Sequence, residues 1–130
     1  HPEGFELPES IITTAAEWVK AGGGRIRTSY DQKTAFKDAE VVYAKSWGAL
    51  TRYDSADAEQ VLRQSHSDWT VDGSLMSASA NAFFMHCLPV RRNVVVTDEV
   101  IDHPRSVVVQ QAENRLHAQK AILKSLFARP

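Results

Sequence analysis

Two short apolar runs, "AEVVYAK" at 39–45 and "AFFMH" at 82–86, constrain this chain most. The first is rich in β-branched and the second in aromatic side chains, both are short for a helix, and both open directly onto polar groups. They read as buried strands. Helical patterns surround them. "ESIITTAAEWVKAGGGR" (9–25) puts Ile11, Ile12, Ala15, Ala16 and Val19 on one stripe at helical spacing. Pro8 and Ser10 supply start signals, and the Gly22-Gly23-Gly24 run supplies the stop. "RIRTS" (25–29) is expected as a short strand, and Asp31 as the cap of a short helix running through Lys37. Helix, strand, helix, strand is the order of an α/β fold. It predicts a three-layer parallel sheet flanked by helices.

The rest of the chain extends this order. Residues 48–70 are polar, with weak helical pattern near Ala58 to Gln64, and read as a long functional loop containing one helix. "VDGSLMSAS" (71–79) is expected as a short helix before the strand "AFFMH". "TDEVIDH" (97–103) is a capped helical turn, "RSVVV" (105–109) a fourth short strand, and "QQAENRLHAQKAILKSLF" (110–127) the longest helix. Leu116, Ile122, Leu123, Leu126 and Phe127 give that helix a broad apolar face. No internal repeat, low-complexity segment or second domain is visible.

Size and charge narrow the functional classes. A chain of 130 residues suits one ordinary domain. A net charge of −1 without a basic block gives no electrostatic footprint for nucleic acid or an anionic membrane. No apolar run approaches the ~20 residues that span a bilayer, and no signal peptide is visible. A single cysteine forms no internal disulfide, so a cytoplasmic location is expected. The chain opens on "HPEGFELPES" without methionine. His-Pro-Glu-Gly reads as a loop just after a strand, so a longer protein with upstream elements is expected.

In an open parallel sheet, ligands bind beyond the carboxyl ends of the strands. One strand here ends in Lys45, Ser46 and Trp47, the other in His86, Cys87, Arg91 and Arg92. Each has an ordinary reading. A lysine after a strand is often solubilising charge, and a lone thiol is often a small half-buried side chain. Two strands ending alike favour a shared pocket. His86 beside Cys87 hints at metal, but His66, His103 and His117 show no ligand spacing, so no metal is expected. Arg91 and Arg92 suit a carboxylate or phosphate, with one of the two expected to be merely solvated. "AGGGR" follows a helix and opens a strand, the reverse of a dinucleotide loop, so it reads as a turn. Arg115, early in the last helix, is either a surface residue or an anion ligand acting with the helix-start N–H groups.

Together these residues resemble the aspartate/ornithine carbamoyltransferase superfamily. His86-Cys87-Leu88-Pro89 followed by Arg91 is similar to the HCLP-x-R signature of its ornithine-type members. "HPEGFEL", "VVYAKSWG" and "AENRLHAQKAI" resemble the branch that acts on N-acetylornithine. The likeness covers nearly all the chain and is weakest in "TRYDSADAEQVLRQSHSD". It implies an incomplete second, amino-acid-binding domain spanning 1–130, the carbamoyl-phosphate domain lying outside this chain. It implies transfer of a carbamoyl group from carbamoyl phosphate to the δ-amine of N-acetylornithine, in arginine biosynthesis, without cofactor. Cys87 and Leu88 would approach the carbamoyl group, Leu88 through its backbone carbonyl. Lys45 and Leu88 would hold the acylornithine, Arg115 would reach carbamoyl phosphate, and Arg91 would polarise the carbonyl. His86 and Trp47 are secondary candidates. A homotrimer assembled through the first domain is also implied.

The position of Lys45 discriminates by charge. Ornithine carbamoyltransferases resemble Tyr-Thr-Asp-Val-Trp here, the aspartate facing the substrate's free α-ammonium. This chain reads Tyr43-Ala44-Lys45-Ser46-Trp47. A lysine repels an ammonium but attracts the α-carboxylate left when the nitrogen is acylated. N-succinylornithine, ornithine itself, and a catalytically silent amino-acid-binding paralogue are the alternatives.

Overall fold

The computed structural model describes residues 1–128. Helix α1 spans Glu9–Ala21, preceded by Pro8, whose carbonyl accepts the N–H groups of Ile11 and Ile12. It ends on the glycine run. Gly23 takes φ 74°, and the Gly24 N–H reaches back to the Val19 carbonyl at 2.8 Å, a reversal that needs a residue without Cβ. Asp31 caps α2 (Gln32–Phe36) by accepting the N–H groups of Lys33 and Thr34. Strand β1 covers Val41–Ala44 and β2 Phe83–His86, with α3 (Ala56–Gln64) and α4 (Gly73–Ser77) between them. Asp72 caps α4 through the Leu75 N–H at 2.8 Å. The short α5 (Asp98–Ile101) and the long α6 (Val108–Phe127) follow.

The chain divides into two packed units. The first comprises 1–35 and 47–69. Its centre is aromatic. The buried Phe5 ring meets Trp47 edge-on at 4.6 Å and His66 at 5.8 Å. Arg63 lies over the Trp47 ring and pairs with Glu59 one helical turn away on α3. Helix α1 buries none of its residues.

The second unit comprises 36–46 and, among the described residues, 70–128. β1 and β2 pair in parallel with Val41 opposite Phe83 and Ala44 opposite His86. Val42, Ala44, Phe84 and His86 point into the core, where Val71, Val95, Val96, Ile101 and Val108 surround them. Phe36 and Ala39 pack against its edge. Val41 and Tyr43 remain about half exposed, so β1 buries one face rather than two.

Two expected strands are not strands. Residues 25–29 form no ladder. Ile26 is the only large apolar residue there and stays exposed, so nothing fastens the segment to a sheet. In "RSVVV" a single parallel bridge joins Ser106 to Phe84, after which Val108 begins α6. The triple valine suggests strand by local preference, but Val108 is buried in the core as the first helical residue, and packing decides. The mixed α/β class holds, with two ladder strands rather than four among the described residues.

Candidate functional site

The parallel register sets the site. With Ala44 opposite His86, the next residue on each strand, Lys45 and Cys87, emerges side by side at the carboxyl end of the sheet. Lys45 Nζ donates toward Cys87 Sγ at 3.5 Å. The Lys45 amine therefore stands against the only thiol of the chain.

His86 sits directly behind them, only 1% exposed. Its Nδ1 accepts the Leu88 N–H at 3.0 Å, so that nitrogen carries no proton and the neutral ring holds its proton on Nε2. Nε2 is buried and finds no hydrogen-bond partner among the described residues. Burial first, and the Lys45 charge second, push the His86 pKa below its ordinary value of 6.5. The imidazole is therefore uncharged at neutral pH. Its bond to Leu88 folds the chain tightly past Cys87. Leu88 adopts φ 45°, a value bulky residues take only where the surroundings impose it, and the Leu88–Pro89 bond is cis.

The two arginines separate clearly. Arg92 is tied down: its guanidinium grips Asp102 through both oxygens, at 2.6 and 2.7 Å, and reaches Asp98 at 2.7 Å. Asn93 braces Asp98 from the other side. These bonds raise the Arg92 pKa and lower those of Asp98 and Asp102. Arg92 is thus a paired structural residue rather than a solvated one. Arg91 contributes its carbonyl to the same turn, accepting Val94 and Val95 N–H groups, while its exposed guanidinium forms no ion pair among the described residues.

Arg115 is exposed on α6 and likewise unpaired among the described residues. Because α6 begins at Val108, Arg115 lies in its third turn. Seven residues at 1.5 Å each set it ~10 Å beyond the free N–H groups of the helix start, so it does not share their anion site. Trp47 belongs to the first unit, where Phe5, Arg63 and His66 surround its ring. Among the described residues no group of three His, Cys, Asp or Glu side chains is placed to hold a metal ion.

Sequence reasoning missed Gln111. Its Oε1 accepts the His86 N–H at 3.1 Å and its Nε2 donates to the Tyr43 hydroxyl at 3.0 Å. One side chain on the first turn of α6 thereby clasps the ends of both strands and orients the helix that carries Arg115. The only signal was a glutamine doublet, Gln110-Gln111, which does not by itself mark a buried contact.

The chain is thus an α/β domain with a cation and a thiol at the carboxyl ends of adjacent parallel strands and with Arg91 and Arg115 outside any ion pair among the described residues. The aspartate/ornithine carbamoyltransferase Asp/Orn binding domain matches residues 1–126, and the chain belongs to that family. It is 43% identical over 122 residues to the N-acetylornithine carbamoyltransferase of Xanthomonas campestris pv. campestris, covering 94% of this chain and 36% of that protein. It is 41% identical over 127 residues to the N-succinylornithine carbamoyltransferase of Bacteroides thetaiotaomicron, covering 98% and 35%. The solved structure of acetylornithine transcarbamylase complexed with acetylcitrulline superposes with a TM-score of 0.92 at 41% identity, covering 98% of this chain and 38% of that one. Ornithine carbamoyltransferases are also among the relatives. The chain thus spans about a third of the length of the curated relatives it matches.

Proposed function

We propose that this chain is the amino-acid-binding part of a carbamoyltransferase that uses N-acetyl-L-ornithine, in arginine biosynthesis. The carrying observation is the Lys45 ammonium, 3.5 Å from Cys87 Sγ at the paired strand ends. There a positive charge suits a substrate whose α-carboxylate is no longer balanced by an α-ammonium.

In this reading Lys45 and the Leu88 backbone hold the acylornithine, and Cys87 and Leu88 flank the carbamoyl group. The substrate's δ-amine attacks the carbonyl carbon of carbamoyl phosphate. A new C–N bond forms, the bond from carbon to the phosphate oxygen breaks, and the amine loses a proton, leaving N-acetylcitrulline and phosphate. Arg91 steadies the charge building on the carbonyl oxygen, and Arg115 binds carbamoyl phosphate. One preorganised donor of this kind is typically worth about 3 kcal/mol. Their lack of internal ion pairs supports both assignments. His86 and Gln111 position the Cys87–Leu88 turn. The rest of the protein supplies the other half of the carbamoyl phosphate site, widens the sheet to a three-layer parallel fold, and assembles a cytoplasmic homotrimer. Among the described residues no helix is long and apolar enough to cross a membrane.

A second acyl group, succinyl, is supported by the 41% identity to an N-succinylornithine enzyme. The deciding experiment is product formation by the full-length protein given carbamoyl phosphate with ornithine, N-acetylornithine or N-succinylornithine. Turnover of N-acetylornithine alone is the expected result. Turnover of ornithine alone overturns the charge argument at Lys45. No turnover of any of the three moves the assignment to a silent binding paralogue.

A further inference from the structure

We infer that this chain carries a second small-molecule site, for a free α-amino acid in its zwitterionic form, at the end of the sheet opposite Lys45 and Cys87. A cavity of about 510 Å³ opens beside the amino-terminal end of β2, walled by residues of α4, α5 and the turn at 103–106. Small-ligand sites commonly enclose ~300–1,000 Å³.

The lining selects the ligand. Met76, Phe84 and Val100 give the cavity an apolar floor. Glu99 and Arg105 line it as well, one anion and one permanent cation, and they form no ion pair with each other. Each is fixed by a single edge. Glu99 Oε1 accepts the Gly73 N–H at 2.9 Å, leaving its second oxygen unused. Arg105 Nε donates to the Ala82 carbonyl at 3.4 Å and its guanidinium lies 4.2 Å from the Phe83 ring centroid, while its terminal nitrogens make no hydrogen bond among the described residues. Ser106 lines the cavity as well. Its Oγ is buried, in the wall of the same cavity, with no partner among the described residues. Its hydroxyl has almost no accessible surface, so Ser106 shapes the wall of the cavity and the two charged side chains are left to bond a ligand.

Opposite charges held apart across an apolar floor fit one chemistry. The carboxylate of an amino acid meets Arg105 bidentately, its ammonium meets Glu99, and an aliphatic side chain covers the floor. A phosphate or a dicarboxylate would bring more negative charge beside Glu99 than Arg105 alone balances.

Calorimetry on the full-length protein tests this with L-leucine, 4-methylpentanoate (the same molecule without its ammonium) and 3-methylbutylamine (without its carboxylate). Leucine is expected to bind at one site per chain. Each truncated probe, and each of the variants Arg105→Ala and Glu99→Gln, is expected to weaken binding by about tenfold or more. Lys45→Ala is expected to leave leucine binding unchanged. Thermal melts of Glu99→Gln, a nearly isosteric change, guard against loss of folding. Absence of leucine binding at millimolar concentration overturns the proposal. So does 4-methylpentanoate binding as tightly as leucine. Loss of binding in Lys45→Ala, with binding kept in Arg105→Ala, also overturns it by moving the amino acid to the first site.

Discussion

Lys45 and Arg115 divide the proposed substrates between them, and their variants separate the two bindings. A charged hydrogen bond is worth ~1.5–3 kcal/mol, so Lys45→Ala in the full-length protein should weaken the acyl-amino-acid by about ten- to a hundredfold. Carbamoyl phosphate binding should stay nearly intact. Arg115→Ala should do the opposite. Calorimetry with each ligand alone reads both effects, and a reversed pattern would show the two side chains misassigned. His86 makes a prediction of a different kind. Its folded pKa lies below 6.5 because the buried ring resists charging and Lys45 repels the added proton. The unfolded chain takes up that proton near pH 6.5, and the folded chain only at lower pH. The stability tied to neutral His86 is therefore whole above about pH 6.5 and is lost as pH falls through the folded value. Thermal unfolding between roughly pH 7.5 and 5 should fall more steeply in the natural protein than in His86→Asn, which keeps an acceptor for the Leu88 N–H but does not titrate. Equal slopes would mean that His86 is not the group responsible.

Among the elements, α6 and the two strands are joined by one side chain, and that joint is breakable. Gln111→Ala deletes the bonds to the His86 N–H and the Tyr43 hydroxyl and leaves the first without its partner. A loss of about 1–2 kcal/mol is expected in denaturant unfolding. Tyr43→Phe, which removes only the second of these bonds, should lose less; an equal loss in both would place the important contact at Tyr43. Such a joint cannot be seen in a sequence, because it depends on which residues three elements bring together. The features that were legible act locally. Asp31 capping α2 and the glycines closing α1 work within a few residues of themselves. The two ladder strands were legible as apolar runs, and their parallel order put Lys45 and Cys87 at one end before any distance was known. "RIRTS" and "RSVVV" were misread because a strand exists only with its partner. Ile26 has none among the described residues, and Val108 is claimed by the core as the start of a helix. The pairing of Arg92 was equally hidden: of two adjacent arginines, only one has Asp98 and Asp102 within reach.

For the molecule as a whole, the telling feature is apolar surface along the last helix. Leu116, Ile122 and Leu123 are each more than half exposed, Leu126 is 74% exposed and Phe127 80%. Isolated apolar residues such as Leu116 are ordinary on a surface, but Ile122, Leu123, Leu126 and Phe127 stand three or four residues apart and neighbour one another on the last two turns. The chain spans only about a third of its curated relatives' length. We therefore expect the face to be covered in the full-length protein by residues outside this chain. Covering it buries several aliphatic side chains, each worth roughly 1.5–3 kcal/mol. The 130-residue chain alone should then bind an apolar dye such as anilinonaphthalene sulfonate, and the double variant Leu126→Lys/Phe127→Lys should reduce that fluorescence sharply. The full-length protein should bind far less dye per chain, and the same double variant should lower its melting temperature, because it buries two charges in a packed interface. Undiminished dye binding by the full-length protein, or no change in its melting temperature, would mean that the helix keeps this face in solvent and that the rest of the protein packs elsewhere.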